Sequence, residues 1–347
     1  MRDMPSVEDL GNGVWSLPVP IPDNPLGYTL TYLIESAHGP VLVDTGWNSE
    51  ESWNALTTGL DRAGVSVTDV RGAVLTHFHP DHSGLAARLR EASGAWIALH
   101  HADAAMLRRV TAQRRTDRRE FEVTQLRRAG APTAEIEAHE VATPPFDTRV
   151  SADRELSHGE LVDLPDRELR VLWTPGHSPG HICLHLKDSG HLFTGDHILP
   201  RITPHVGLFP LDDSDNDPLG RFLDSLGQIH ELGATEALPA HERRFRDLAG
   251  RTSEIIAHHE ERLEQLAAAL EGEPATLWEI APLLEWRRAW KDMRTAARRM
   301  AASETAAHLR LLERRGLAVC STDPNTTDTA TPGALRWRST AGSAAAL

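Results

Sequence analysis

The sequence predicts a layered α/β domain that is followed by a helical C-terminal region. Strand and helix patterns alternate in the first hundred residues, and strand patterns return between Glu168 and Asp196. After His241 the apolar residues follow helical spacing instead. Alternating strands and helices are typical of layered α/β domains. The length of 347 residues suggests about two domains, since a domain commonly holds roughly 100–200 residues.

The first hundred residues hold short strands separated by turns. Residues 28–35 and 40–44 are apolar and rich in β-forming residues, so we predict two strands there. Helical spacing of apolar residues predicts a helix over 49–63. Another short strand at 72–75 precedes a helix that we expect to begin near Ser83.

The remaining chain divides into three regions of different character. Eight arginines against three acidic residues between positions 108 and 128 indicate a helical insert or lid, which we place at about 103–140. We predict a catalytic domain over 1–250, a helical domain over 251–320, and a disordered tail over 321–347, which is rich in Thr, Ser, Ala and Pro.

Composition and charge exclude several classes of protein. The 40% hydrophobic content is too high for a disordered chain. The net charge of −14 disfavours a dedicated nucleic-acid binder, and two cysteines cannot build a disulfide framework or a thiolate metal site. No run of about 18 apolar residues is present, and the first 20 residues do not resemble a signal peptide, so we expect a soluble cytoplasmic protein without membrane contact.

The segment Thr76-His77-Phe78-His79-Pro80-Asp81-His82 carries the strongest chemical signal. It follows an apolar strand and precedes a helix. His77 and His79 are two residues apart, so on an extended backbone their imidazoles point to the same side. Three imidazoles and a carboxylate within six residues suit zinc or a similar divalent metal.

Three further candidates lie downstream, each just past a predicted strand. They are His177 in Thr174-Pro175-Gly176-His177, Asp196 in Phe193-Thr194-Gly195-Asp196, and His241 in Leu238-Pro239-Ala240-His241. The carboxyl ends of strands are where α/β folds commonly assemble their sites. The sequence therefore predicts one site built from all of these segments.

Together with Asp44 in Val43-Asp44-Thr45-Gly46, these motifs resemble those of the metallo-β-lactamase superfamily over roughly residues 12–250. The resemblance implies a four-layer αββα sandwich with metals at one edge between the sheets. It implies that His77, His79 and His177 hold one metal, that Asp81, His82 and His241 hold the second, and that Asp196 bridges both. Two divalent ions are implied, zinc first, with iron or manganese as alternatives.

The same resemblance implies a hydrolase similar to hydroxyacylglutathione hydrolase (glyoxalase II), in which a metal-bound hydroxide cleaves an ester or thioester bond. Asp81 is in addition a candidate for catalytic proton transfer. Asp44 is expected to support the metal loops through hydrogen bonds. His181 and His197 flank ligand positions, and we expect a structural role for both.

The C-terminal segment 274–316 resembles the small winged-helix-like domain of the β-lactamase-like protein 2 group. It has nine basic and five acidic residues, a mild bias that surface helices often carry without a partner. Nucleic-acid binding is therefore disfavoured. The arginines of the insert would suit an anionic small-molecule substrate such as an acyl-CoA. The sequence leaves open whether the protein forms a homodimer.

Three alternatives to ester or thioester hydrolysis remain. A lactonase would open a cyclic ester by the same attack. A metal-dependent ribonuclease or phosphodiesterase would show strong salt dependence of binding. A mononuclear iron enzyme would use the same His and Asp ligands for oxygen chemistry.

Overall fold

The computed structural model describes residues 4–112, 115–139, 150–211, 213, 215–322 and 333–340. Contacts between Cα atoms divide the chain into two units. The first contains 1–112, 144–204 and 225–252, and the second contains 113–143, 205–224 and 253–347.

The first unit is built on two β-sheets. The larger sheet has seven strands in sequence order: β1 (Glu8–Gly11), β2 (Val14–Pro20), β3 (Tyr28–Ile34), β4 (Val41–Val43), β5 (Gly72–Val74), β6 (Trp96–His100) and β7 (Arg154–Leu156). Strands β1 to β4 pair antiparallel, and β4 to β7 pair parallel. The smaller sheet has the order β11 (Glu236–Pro239), β10 (His191–Gly195), β9 (Ile182–Leu186) and β8 (Leu169–Trp173).

Alternation along the strands assigns the two faces of the larger sheet. Leu17 and Leu33 belong to one buried cluster, whereas Tyr32 and Ile34 belong to another, which also holds Phe193 of the smaller sheet. Successive side chains of a strand point to opposite faces. The apolar group that holds Tyr32, Ile34 and Phe193 is therefore the core between the two sheets. Helices that follow individual strands contribute to the other apolar group, which holds Leu17 and Leu33. They are α1 (Glu50–Arg62), α3 (Ala86–Ser93) and α4 (His101–Ala112).

The short helix α2 (Pro80–Ser83) begins earlier than the sequence indicated. We expected a helix start near Ser83, but proline at the first helical position fixes a backbone angle that suits the helix, and the first turn forms there. Asp81 and His82 therefore lie within this turn.

The second unit combines helices with a small sheet. Its complete helices are α5 (Arg115–Arg128), α6 (Thr133–Glu137), α9 (Leu277–Ile280) and α10 (Thr295–Arg314), and parts of α7 (Pro218–His230) and α8 (Leu248–Ala269) belong to it. Short 3-10 helices lie at Val67–Asp69 in the first unit and at Ala281–Leu283 and Trp290–Asp292 in the second. The antiparallel sheet has the order β12 (Ala275–Thr276), β14 (Leu335–Ser339) and β13 (Ala318–Thr322).

The predicted domain division differs from these units. The last segment of the first unit ends at Thr252, close to the domain boundary expected near Gly250. The second unit, however, also contains residues 113–143 and 205–224. Hydrogen bonds from Trp278 N to Ala129 O (2.9 Å) and from Leu208 N to Ser303 O (3.0 Å) tie these segments together. The second unit is thus assembled from three pieces of chain rather than from one C-terminal piece.

The prediction of a disordered tail over 321–347 is wrong for residues 321 and 322, which end β13, and for residues 335–339, which form β14. Leu335 and Trp337 of this strand are buried, and the strand pairs with both neighbours. The burial of these two side chains offsets the polar composition of the surrounding segment. Residues 323–332 and 341–347 lie outside the described part of the chain.

In the described segments, no helix is both long and apolar enough to cross a membrane.

Candidate metal centre

The structure brings all seven predicted ligands together at the carboxyl ends of strands from both sheets. Mutual distances define three overlapping groups: the first cluster (His77, His79 and His177), the second cluster (Asp81, His82 and His241), and a group of His77, His82 and Asp196 that lies between them. The loop after β5 and helix α2 supply His77 to His82, while the ends of β8, β10 and β11 supply His177, Asp196 and His241. The site therefore forms only where the two sheets pack together.

The first cluster is a triangle of ring nitrogens. His77 Nε2 lies 2.9 Å from His79 Nδ1 and 3.2 Å from His177 Nε2, and the third side measures 3.0 Å. Zn–N bonds of about 2.0–2.1 Å in tetrahedral geometry separate two nitrogens by roughly 3.3 Å. The three nitrogens thus have the spacing of ligands around one metal ion.

The second cluster contains buried polar atoms that lack partners. Among the described residues, His82 Nε2, His241 Nε2 and Asp196 Oδ1 are buried without a hydrogen bond. His241 Nε2 lies 3.4 Å from Asp81 Oδ2, and His82 Nε2 lies 3.7 Å from the same oxygen. Because buried polar atoms are almost always satisfied in folded proteins, these orphans fit a bound cation.

Asp196 faces both clusters with different oxygens. Its Oδ1 lies 3.2 Å from His241 Nε2 and 3.6 Å from His82 Nε2. Its Oδ2 lies 3.5 Å from His177 Nε2. This is the placement expected of a carboxylate that bridges two cations.

Hydrogen bonds at the opposite ring nitrogens orient several of the imidazoles. His82 Nδ1 contacts Asp44 Oδ2 at 2.7 Å, and His241 Nδ1 contacts the Tyr28 carbonyl oxygen at 2.9 Å. His77 Nδ1 lies 3.1 Å from Thr76 Oγ1. Such bonds fix the tautomer and direct the free nitrogen toward the metal position.

Asp44 supports the loops as the sequence predicted. It follows β4 with φ of 61°, in the left-handed region that only a few residue types adopt. This turn directs its carboxylate to His82, while Oδ1 accepts a hydrogen bond from Thr76 N at 2.7 Å. One side chain therefore holds both a ligand and the start of the ligand-bearing loop.

His181 orients Asp196. Its Nε2 accepts a hydrogen bond from Asp196 N at 3.1 Å, and its Nδ1 lies 2.8 Å from Thr174 Oγ1. The ring is fully buried, as is that of His197, so both histidines lie away from any approaching substrate.

The electrostatics of the two clusters differ. Burial lowers the pKa of His79 to about 3 and that of His77 well below its usual range, so both rings stay neutral and able to bind a metal. Burial acts in the same direction on His241, but the Asp196 and Asp81 carboxylates outweigh it and raise its pKa to about 10. The second cluster thus attracts positive charge, which a divalent cation would supply.

One side of the centre is open to solvent. His77, His82 and His241 are fully or almost fully buried, whereas Asp81 and Asp196 keep 16% and 12% of their side chains exposed. His79 and His177 are also partly exposed, so groups of both clusters lie on the solvent side of the centre.

Asp103 is a buried polar residue near the site that was not predicted from the sequence. This residue lies in the first turn of α4 and is completely buried. Its carboxylate accepts hydrogen bonds from the loops that carry the first cluster. An acidic residue in a first helical turn is so common that the sequence offers no signal for this contact.

The arginines of the predicted insert have varied surroundings. Arg108 forms an ion pair with Glu155 at 2.6 Å, and Arg119 donates to the His139 carbonyl oxygen at 3.2 Å. Arg114 and the side chain of Arg115 lie outside the described residues.

Comparisons with known proteins agree with this fold and site. The sequence profile described as "Metallo-beta-lactamase superfamily" matches residues 24–241, and the chain belongs to this superfamily. This assignment and the structural matches confirm the predicted α/β class with a helical C-terminal region. The chain therefore has the fold and the His/Asp cluster of a metal-dependent hydrolase.

Two solved structures cover nearly the whole chain. A metallo-β-lactamase family protein from Thermus thermophilus is 31% identical, with a TM-score of 0.75 over 95% of this chain and 100% of that one. A β-lactamase domain protein from Burkholderia ambifaria is 27% identical, with a TM-score of 0.82 over 96% of this chain and 94% of that one.

Curated relatives include the lactamase-like protein adaB of Aspergillus niger, which is 27% identical over 245 residues. That match covers 70% of this chain and 59% of the relative, so the chain spans about three fifths of the length of this relative. The lactamase-like protein aptB of Emericella nidulans is 25% identical over 244 residues, which are 70% of this chain and 60% of that protein.

Proposed function

We propose that the protein is a dinuclear metal-dependent hydrolase that cleaves a carboxylic ester or thioester bond. The placement of Asp196 carries the proposal. Its two oxygens face two separate groups of ligands, at 3.2 Å from His241 Nε2 and 3.5 Å from His177 Nε2. A site for a single metal would leave the second group of buried nitrogens unsatisfied.

Divalent metals, of which zinc is our first choice, would supply Lewis-acid polarisation and lower the pKa of a bound water. The residues of the chain do the rest. Asp196 would offset the repulsion between two nearby cations, and the neutral rings of the first cluster would offer their lone pairs to a metal. Asp81 is the more exposed carboxylate of the site, so it is placed to accept a proton or pass one to a leaving group.

The arginines of the second unit favour a small-molecule substrate over nucleic acid. Most of α10 is buried, including the stretch from Thr305 to Leu312. Three arginines of α10 and Arg315, which directly follows this helix, pair with glutamates: Arg298 with Glu135, Arg299 with Glu122, Arg310 with Glu313, and Arg315 with Glu260. These glutamates reduce the net positive charge that the helix presents to a phosphate backbone.

The element order of the C-terminal region supports the similarity to a winged-helix domain. Helix α8 is followed by β12, α9, α10, β13 and β14, with the three strands in one antiparallel sheet. We propose that this region is a winged-helix-like domain. An anionic substrate such as an acyl-CoA and a cytoplasmic location stay predictions from the sequence.

The proposal is tested by metal analysis and a substrate panel. We expect about two equivalents of metal on the purified protein and hydrolysis of acyl-CoA, S-lactoylglutathione or p-nitrophenyl esters. Asp196→Ala should lose at least one equivalent and most of the activity. Asp188→Ala, which removes an exposed carboxylate, is the matched control and should retain both.

The panel also includes γ-lactones and bis(p-nitrophenyl) phosphate. Exclusive lactone opening would favour the lactonase. Exclusive phosphodiester cleavage with strong salt dependence would overturn the proposal, as would one equivalent of iron in place of two divalent ions.

A further inference from the structure

We propose that Asp103 is a positioning residue that holds the two loops of the first cluster at metal-binding distance. The inference rests on the proposed function only in that the first cluster binds a metal. It does not depend on which bond the enzyme cleaves.

The Asp103 carboxylate accepts three hydrogen bonds from two loops. Oδ2 accepts from Phe78 N at 3.1 Å and from Ser178 Oγ at 2.7 Å. Oδ1 accepts from Gly180 N at 2.5 Å. The side chain is completely buried, so water does not compete for these bonds.

Each of these contacts lies close to a metal ligand in sequence. Phe78 separates His77 from His79, and Ser178 directly follows His177. The first loop follows β5 of the larger sheet, and the second follows β8 of the smaller sheet. A single carboxylate therefore sets the spacing between ligands that two different sheets supply.

The carboxylate has no cation to balance its charge. In the described part of the chain, no lysine or arginine forms an ion pair with Asp103, and no interaction other than the contacts with the two loops accounts for its burial. A buried carboxylate is costly unless its hydrogen bonds compensate. The two loops supply that compensation, so their positions and the carboxylate position depend on each other.

Glycine at position 180 is part of the same arrangement. A Cβ atom on Gly180 would lie 2.4 Å from Asp103 N and 2.8 Å from Asp103 Cβ. Real Cβ atoms do not approach so closely, so only glycine lets this loop reach α4.

The test measures metal affinity directly, by competition with a chromogenic chelator, in variants that retain one cluster each. In a His241→Ala background, the metal that remains is held by the first cluster. There, Asp103→Ala should weaken zinc binding 10- to 100-fold, as loss of partners that orient ligands commonly does. In a His79→Ala background, which retains the second cluster, the same change should alter affinity less than threefold.

Leu107→Ala is the matched control for general destabilisation. Leu107 lies on the same helix and is almost completely buried in the core cluster beneath the larger sheet. It should lower the unfolding temperature without changing zinc affinity in either background. Equal affinity losses for Asp103→Ala and Leu107→Ala, or equal losses at both clusters, would overturn the inference.

Two milder variants keep the test decisive where Asp103→Ala does not fold. Asp103→Asn retains the shape and one strong acceptor, so it should recover part of the affinity. Ser178→Ala removes one of the three hydrogen bonds and should weaken zinc at the first cluster by a smaller factor. Unchanged zinc affinity in both would refute the positioning role.

The outcomes separate this inference from the proposed function. A wild-type protein that binds zinc with the predicted dependence on Asp103, yet cleaves no ester or thioester, would refute the function alone. A wild-type protein without metal at the first cluster would refute both.

Discussion

The buried histidine pair of the second unit predicts a steep loss of stability in mild acid. His308 Nδ1 lies 2.8 Å from the Glu304 carbonyl oxygen, and its Nε2 lies 3.0 Å from His259 Nδ1. A proton on His308 Nδ1 donates to the carbonyl oxygen, so Nε2 accepts from His259. Protonating His308 would place a second N–H against that donor.

The charged and titratable groups around the pair do not remove the free-energy cost of protonating His308. They are Glu304, Arg262, His205 and His258. Burial lowers the pKa of His308 to about 4 and that of His259 to about 3, although Glu304 acts in the opposite direction on both. The side chains therefore stay neutral in the folded protein.

The sign of the effect follows from these values. The unfolded chain takes up a proton on His308 below pH 6.5, whereas the folded protein does so only near pH 4. Stability from this residue is complete above pH 6.5 and is lost as the pH falls. Between pH 7.5 and pH 5.0 the loss is about 2 kcal/mol, on the basis of 1.36 kcal/mol per pKa unit.

The assay is urea unfolding of wild type and His308→Gln at both pH values. Glutamine retains an acceptor for His259 but cannot titrate, so the stability of the variant should fall by about 2 kcal/mol less than that of wild type. The metal-site histidines are the same in both proteins and cancel in the difference. His38→Gln, which removes an exposed histidine, is the control. Parallel pH dependence of wild type and His308→Gln would refute the reasoning.

Two further predictions concern the frame of the metal centre. Gly180→Ala should lower the free energy of unfolding, measured by urea titration, by about 1–3 kcal/mol, because the new Cβ would meet the backbone of Asp103. Gly227 lies within α7, and a Cβ there would meet open space, so Gly227→Ala should raise the free energy of unfolding by roughly 0.5–1 kcal/mol. Asp44→Asn should weaken metal binding at the second cluster 10- to 100-fold, since it disturbs the 2.7 Å contact with His82 Nδ1; equal weakening at the first cluster in chelator competition would contradict this.

The convergence of the seven candidate metal ligands was predictable because the sequence concentrates them. Four of the seven lie within His77–His82, and the other three each follow a strand that its apolar residues identify. Strand ends converge in a layered α/β fold, so local patterns sufficed to place His177, Asp196 and His241 together.

Contacts that depend on distant partners were not predictable. Asp103 looks like any acidic residue at the start of a helix, and only the folded loops show what its carboxylate binds. For the same reason, the sequence did not indicate that residues 113–143 and 205–224 belong to the second unit. The arginine-rich composition indicated a helical insert around α5, but not that Ala129, just after this helix, bonds with Trp278.

Strand β14 shows a signal that composition obscured. Within its polar surroundings, buried Leu335 and Trp337 alternate with the more exposed Arg336 and Arg338. This alternation is a strand pattern. Averaging over the whole tail hid a period of two that extends over only five residues.

The division of the chain into interleaved units has a consequence for synthesis on the ribosome. Every predicted metal ligand has been made once His241 emerges, whereas the second unit still lacks all of α8, α9 and α10 and its sheet. Partners of Ala129 and Leu208, namely Trp278 in α9 and Ser303 in α10, are made only later. Nascent chains that stop near Thr252 could bind metal but would leave residues 113–143 and 205–224 exposed to proteases and chaperones. Removing the C-terminal region for a functional study would have the same effect. It would leave helix α5 without its contacts in that region, so the remaining chain would not be a self-contained catalytic domain.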